Sequence, residues 1–235
     1  MNTWLPRQAP VLVCDLDGTL IDSVPDLAAA ANALLAEQHR PALATEAIKA
    51  MVGDGVVKLV ERAFAATGAP PEPARLDAHV ARYLAIYEPC STDRTRPYPG
   101  TLETLAGLKA AGWRLAVCTN KPERASHRVL AALGMAELFE AVAGGDTFSV
   151  KKPEPEHILG LLARMDGSPA HAAMVGDSRN DVLAARAAGL PVVAVTHGYG
   201  PVPARELGAD RLIESLAELP AVLAALGLDT PARPA

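Results

Sequence analysis

Five short apolar runs recur along the chain: VLVCD (11–15), RLAVCT (114–119), AVAGG (141–145), AAMVGD (172–177) and VVAVT (192–196). Each is nearly continuous in its hydrophobicity, as strands covered on both faces are. Helical patterns separate the later runs. TLETLAGLKAAG (101–112) and ERASHRVLAALG (123–134) end on a glycine, and PEHILGLLARM (155–165) stops shortly before Gly167. DVLAARAAG (181–189) follows the fourth run directly. Strands alternating with helices predict an α/β fold built on a doubly wound parallel sheet.

The first two runs are far apart, and residues 24 to about 90 hold no convincing strand. PDLAAAANALLAE (25–37) opens on proline and carries Leu27, Ala31, Leu34 and Leu35 on one face. TEAIKAMVG (45–53) offers Thr45 as an N-cap, and DGVVKLVERAFAATG (54–68) can start on Asp54 and end at Gly68. ARLDAHVARYLAIYEP (74–89) places Leu76, Val80, Tyr83, Leu84 and Tyr87 on one stripe and stops at Pro89. The expectation is an all-helical insert, residues 23–90, in a core made of residues 1–22 and 91–235. RTRPYPG (94–100) suits a linker, and DTPARPA (229–235) is expected to fray.

Half of the 235 residues are apolar, enough for one large core with or without an insert. A net charge of −5 gives no electrostatic footprint for nucleic acid, and no basic run suits a membrane surface. No segment reaches the roughly 18 apolar residues of a membrane span. MNTWLPRQAP lacks the charged-then-apolar order of a secretory signal. Cys14 and Cys118 sit in apolar runs and read as small buried hydrophobes; with Cys90 they make no disulfide framework, so a reducing, cytoplasmic setting is expected.

In an open α/β sheet, ligands bind beyond the carboxyl ends of the strands, where the winding reverses. With the first strand central, the ends of strands one and four meet there. Strand one ends in Asp15 with Asp17 two residues on, and strand four ends in Asp177 with Asp181 four residues on. Residues i and i+2 of an extended segment point the same way, so Asp15 and Asp17 share a side. Carboxylates this close repel, and a divalent cation removes the conflict. Oxygen ligands without a histidine cluster favour magnesium.

A calcium loop would need glycine sixth and glutamate twelfth from Asp15, where Leu20 and Asp26 stand. Asp-Gly also suits a plain turn, and Asp177 and Asp181 suit a helix N-terminus. Thr119 and Asn120 can hold phosphate oxygens at a strand–helix turn or simply cap the helix. Lys152 is a cation able to neutralise a phosphate dianion. No phosphate loop, dinucleotide fingerprint or nucleophile elbow is present, and the histidines show no metal-ligand spacing.

DLDGT (15–19), Thr119 with Asn120, Lys152 with Pro153, and GDSRND (176–181), in that order, resemble the haloacid dehalogenase superfamily in its phosphatase branch. The resemblance covers nearly the whole chain and implies a Rossmann-like core with a helical cap inserted after the first motif. It implies that Asp15 attacks phosphorus to form an aspartyl phosphate and that Asp17 protonates the leaving alcohol and then activates water. Thr119, Asn120 and Lys152 would hold the phosphoryl group. Asp15, the Asp17 carbonyl, Asp177 and Asp181 would bind Mg²⁺. An acid at position 17 argues for phosphate chemistry, since dehalogenase members lack it.

MVGDGVVKLVERAF (51–64) and IDSVPDLAAAANALLAE (21–37) are similar to stretches of bacterial phosphoglycolate phosphatases. That similarity implies 2-phosphoglycolate as substrate. Gly53, Asp54 and Gly55 would form a loop closing over the cleft, with Lys58 and Arg62 reading the substrate or forming a solvated basic face beside Glu61. The expected partner is a small phosphorylated metabolite, and the expected state a monomer or homodimer. Alternatives are a phosphatase for a sugar phosphate, nucleotide or pyrophosphate, a phosphosugar mutase, or a phosphate-binding regulator without turnover.

Overall fold

The computed structural model describes residues 9–228; residues 1–8 of MNTWLPRQAP and the tail DTPARPA (229–235), expected to fray, lie outside them. Six parallel strands form one sheet in the order β5–β4–β1–β6–β7–β8. They are β1 (Val11–Cys14), β4 (Arg114–Cys118), β5 (Ala141–Ala143), β6 (Ala172–Gly176), β7 (Val192–Val195) and β8 (Arg211–Ile213). The five apolar runs supply the first five of these. β8 lies at the edge, where only Ile213 is buried, so it carries no apolar run to betray it.

Alternate residues of the strands feed opposite faces. Leu12, Cys14, Leu115, Val117, Ala173 and Val175 pack on one side with α5 (Thr101–Ala110) and α9 (Leu219–Ala225). Val11, Val13, Ala116, Cys118, Ala172 and Met174 pack on the other with α7 (Pro155–Arg164) and α8 (Arg179–Ala187). α6 (Glu123–Ala132) completes the first layer.

After β1 the chain passes through a two-residue strand, β2 (Ile21–Asp22), which pairs antiparallel with β3 (Arg96–Pro97) on the way back. Between them lie α1 (Val24–Glu37), α2 (Thr45–Lys49), α3 (Val56–Ala66) and α4 (Pro73–Cys90). These four helices have their own apolar cluster, including Leu27, Ala31, Leu34, Leu35, Ile48, Phe64, Tyr83 and Tyr87. The segment read as a linker is anchored: Asp26 accepts hydrogen bonds from the backbone N–H groups of Arg94 and Thr95 and from the Thr95 hydroxyl.

Two cap assignments differ from expectation. The N-cap of α2 is Ala44, with Thr45 the first helical residue. The N-cap of α3 is Gly55, not Asp54, and Gly55 has φ +88, a conformation favouring glycine. Asp54 instead bonds to Asn180 of the core and to Arg62 further along α3. Among the described residues no helix is long and apolar enough to cross a membrane.

Candidate active site

In the sheet, Cys14 lies beside Val117 of β4 and Val175 of β6. The next residue, Asp15, therefore leaves the sheet between the end of β4 and the end of β6. This register brings together the two strand ends whose acids are far apart in sequence. One carboxylate oxygen from each of Asp15, Asp177 and Asp181 lies within 4.8 Å of the others, and all three residues are buried.

Lys152 enters this acidic cluster. Its ammonium is 2.9 Å from Asp15 Oδ1 and 2.6 Å from Asp181 Oδ1. The Asp15 contact is ionic without hydrogen-bond alignment, and Asp15 Oδ1 remains buried with no hydrogen-bond donor. Burial pushes the Asp15 carboxyl up to about 6; Lys152 opposes the shift and Asp181 adds to it. Burial, then Asp181 and Asp15, raise Asp177 well above the usual carboxylate range. Burial alone would lower the Lys152 pKa, but Asp15 and Asp181 outweigh it and raise it. Asp15 and Asp181 thus share one ammonium in a dry place with Asp177 close by, and the Asp15 oxygen that accepts no hydrogen bond offers a lone pair. An all-oxygen donor set of this kind fits a hard divalent cation.

Asp181 does two jobs with two oxygens. While Oδ1 meets Lys152, Oδ2 accepts from the N–H of Asp177 (3.2 Å), the N–H of Ser178 (2.9 Å) and the Ser178 hydroxyl (2.7 Å). It is the third residue of α8 in a capping box with Ser178. Helix capping and membership of the charge cluster are both realised here. Asp177 accepts from the Thr19 hydroxyl (3.0 Å) and from the Tyr199 N–H (2.7 Å). A Cβ on Gly18 would stand 2.5 Å from Asp177 Oδ2, so only glycine lets the turn after Asp17 approach this acid.

Asp17 faces the same cleft but a different cation. The Lys121 ammonium is 3.1 and 3.0 Å from its two oxygens and 2.7 Å from the Tyr87 hydroxyl on α4. Burial would lower the Lys121 pKa, but Asp17 and then Tyr87 outweigh it and hold the lysine charged. The buried Thr119 lines the cleft beside Asp15 and Asp17. Asn120 is committed elsewhere: its side-chain amide donates to the carbonyls of Gly53 and Lys152, each at 2.9 Å.

The loop at 53–55 is seated on the core. Asn180 donates to Asp54 Oδ1 at 2.6 Å, and Lys151 donates to the Asp54 carbonyl at 2.7 Å. Arg62 pairs with Asp54 and donates to the Met51 carbonyl. Lys58 is on an exposed surface, 2.6 Å from Glu61. A cavity of about 50 Å³ remains between insert and core, lined by Asp15, Asp17, Gly53, Gly55, Thr119, Asn120, Lys121, Tyr83 and Tyr87, among others. Neither Lys58 nor Arg62 lines it.

The family model for haloacid dehalogenase-like hydrolases matches residues 10–189. The chain belongs to that hydrolase family. It is 40% identical over 232 residues to a phosphoglycolate phosphatase from Caulobacter vibrioides, covering 99% of this chain and 98% of that protein. It is 42% identical over 212 residues to a phosphoglycolate phosphatase from Rhodospirillum rubrum, covering 88% of each. A crystal structure of a predicted phosphoglycolate phosphatase from Haemophilus somnus superposes with a TM-score of 0.86 at 31% identity, covering 92% of this chain and 98% of that one.

Sequence reasoning about this hydrolase missed Lys121, Tyr87, Asn180 and Lys151. Lys121 follows Thr119-Asn120 directly, but a single lysine has no spacing signal. Tyr87 belongs to an apolar stripe in the sequence, and nothing in that stripe tells where its hydroxyl goes. Tyr199 reaches the site through its backbone N–H on Asp177; its hydroxyl is 2.8 Å from Asp22 Oδ1.

Proposed function

We propose that this hydrolase is a magnesium-dependent phosphatase acting on a small phosphate monoester, 2-phosphoglycolate, through an aspartyl-phosphate intermediate on Asp15. The observation that carries the reading is the convergence of Asp15, Lys152, Asp177 and Asp181 in one buried cluster, from which Asp15 joins Asp17 in lining the cleft under the helical insert. The relatives at 40% and 42% identity are named for phosphoglycolate.

An Asp15 oxygen attacks phosphorus, splitting one slow displacement into two faster ones. Lys152 and the Thr119 hydroxyl hold the transferring group, whose charge needs donors already in place. Asp17 gives a proton to the leaving oxygen and later takes one from the water that releases phosphate. A magnesium ion held by Asp15, Asp177 and the Asp17 carbonyl, with Asp181 behind, would supply positive charge against the phosphoryl oxygens. Residues 23–90 act as a cap on a core of residues 1–22 and 91–235, with Gly53–Gly55 and Tyr87 excluding bulk water. Asn120 serves by tying the cap loop to the Lys152 backbone.

Hydrolysis of a panel of small phosphate esters, with and without chelator, tests this. The expected result is a preference for 2-phosphoglycolate that disappears with the metal. Activity indifferent to chelation would overturn the metal's role, and a flat panel would overturn the substrate.

A further inference from the structure

If the substrate is a phosphoglycolate-like ester, its carboxylate needs a cationic partner inside the cleft. The insert's basic residues do not provide one. Lys58 is on the surface with Glu61, and Arg62 is tied to Asp54 and the Met51 carbonyl outside the cavity. Lys152 is locked between Asp15 and Asp181 on the phosphoryl side. Lys121 remains: buried, lining the cavity, with its ammonium shared between Asp17 and the Tyr87 hydroxyl.

We propose that Lys121, assisted by Tyr87, is the residue that reads the substrate's carboxylate, and that the carboxylate reaches Lys121 by taking over N–H donors now held by Asp17. The inference rests on the phosphatase reading above and deepens it to a substrate class: phosphate monoesters carrying a carboxylate on the carbon next to the ester oxygen.

The geometry explains why the exchange is useful. An ammonium has three N–H donors and no acceptor. Those of Lys121 are directed at both Asp17 oxygens and at Tyr87. While Lys121 holds both oxygens, Asp17 has less freedom to address a leaving group. A substrate carboxylate that accepts from Lys121 releases at least one Asp17 oxygen toward the ester oxygen. A phosphate ester whose alcohol part carries no carboxylate leaves the Lys121–Asp17 pair intact. Selectivity then arises from the acid residue itself, because only a substrate with the second anion frees it. Tyr87 comes from α4 and Lys121 from the core turn after β4, so the reading also requires the insert to be seated.

The test compares kcat and KM for 2-phosphoglycolate and for 2-hydroxyethyl phosphate, which replaces the carboxylate by an alcohol. Wild type, Lys121→Met and Lys121→Gln are measured with Mg²⁺. Lys121→Gln can still hydrogen-bond Asp17 and Tyr87, and so guards against a folding defect in Lys121→Met. The ratio of the two kcat/KM values is expected to fall by roughly 10- to 100-fold in either variant, the size of one charge-assisted hydrogen bond. Lys121→Arg should recover part of it. If Lys121 only orients Asp17, both substrates slow together and the ratio stays; that result overturns the proposal. A wild type that hydrolyses both esters equally also overturns it, while leaving the phosphatase reading in place. Calorimetry of 2-phosphoglycolate with Asp15→Asn, with and without Lys121→Gln, reads binding without turnover. Equal affinity in the two proteins would overturn the carboxylate contact.

Discussion

Lys152 and Asp181 form a buried ion pair, Nζ to Oδ1 at 2.6 Å, with both side chains almost wholly removed from solvent. The other Asp181 oxygen closes the first turn of α8. One side chain therefore fixes both a helix end and the lysine proposed to hold phosphate. A buried pair broken on one side leaves an uncompensated charge, which costs about 3–5 kcal/mol. Asp181→Ala should lower stability by that order in chemical denaturation and weaken phosphate inhibition at the same time. Loss of stability with unchanged phosphate affinity would separate Asp181 from the site.

Lys152→Met tests the other partner. Removing one preorganised donor to a developing charge costs about 10²–10³ in kcat. The expected change in steady-state assays is a fall in kcat of at least that size, with KM changing less. A KM effect alone would place Lys152 outside the transition state.

Asp15→Asn removes the proposed nucleophile while keeping its shape. Loss of a nucleophile can cost about 10⁶ in kcat, so turnover should drop below detection. Burial raises the Asp15 carboxyl pKa to about 6, so above that pH the ionised acid carries a stability cost. The neutral variant should be at least as heat-stable as wild type at pH 7.5, and a lower Tm would count against this account.

The same shift sets the pH dependence expected if the proposed metal stabilises the fold. A folded carboxyl raised to about 6 from 3.8 contributes stability that is full below 3.8 and lost as pH rises through 6. A cation restores what ionisation removes. The rise in Tm on adding Mg²⁺ should therefore be larger at pH 7.5 than at pH 5, and EDTA should abolish it. Scanning calorimetry showing an equal rise at both pH values would contradict this.

His157 runs the opposite way. Its Nδ1 accepts from the Lys152 N–H at 3.1 Å, so the proton sits on Nε2, 3.0 Å from the Gly144 carbonyl. Burial, then Lys152, lowers its pKa from 6.5 to about 4. The unfolded chain takes up the extra proton first, so this stability is present above about 6.5 and lost as pH falls toward 4. Tm should decline over that window in wild type, and the decline should be shallower in His157→Leu.

Much of this was legible beforehand. Continuous apolar runs such as VLVC and AAMVG can satisfy both faces only inside a covered parallel sheet, so the α/β class follows from local pattern. Asp15 and Asp177 fall at the same end of the sheet because parallel strands share their carboxyl ends; that β1 and β6 are neighbours, with Cys14 beside Val175, is given by the folded sheet. The edge strand β8 and the two-residue ribbon β2–β3 were not legible, since neither is long or apolar enough to show a period. Asp54 beside a helix start reads as a cap in any local view; only the folded chain shows Asn180 and Arg62 claiming it.

By itself, the sequence determined where the strands end and which acids stand at those ends, because hydrophobic periodicity and turn chemistry act over a few residues. The tertiary structure alone decided which cation faces which acid: Lys152 to Asp15 and Asp181, Lys121 to Asp17, and Arg62 away from the cleft. A long, flexible side chain carries no period, and its partner is set by which distant segments burial forces together.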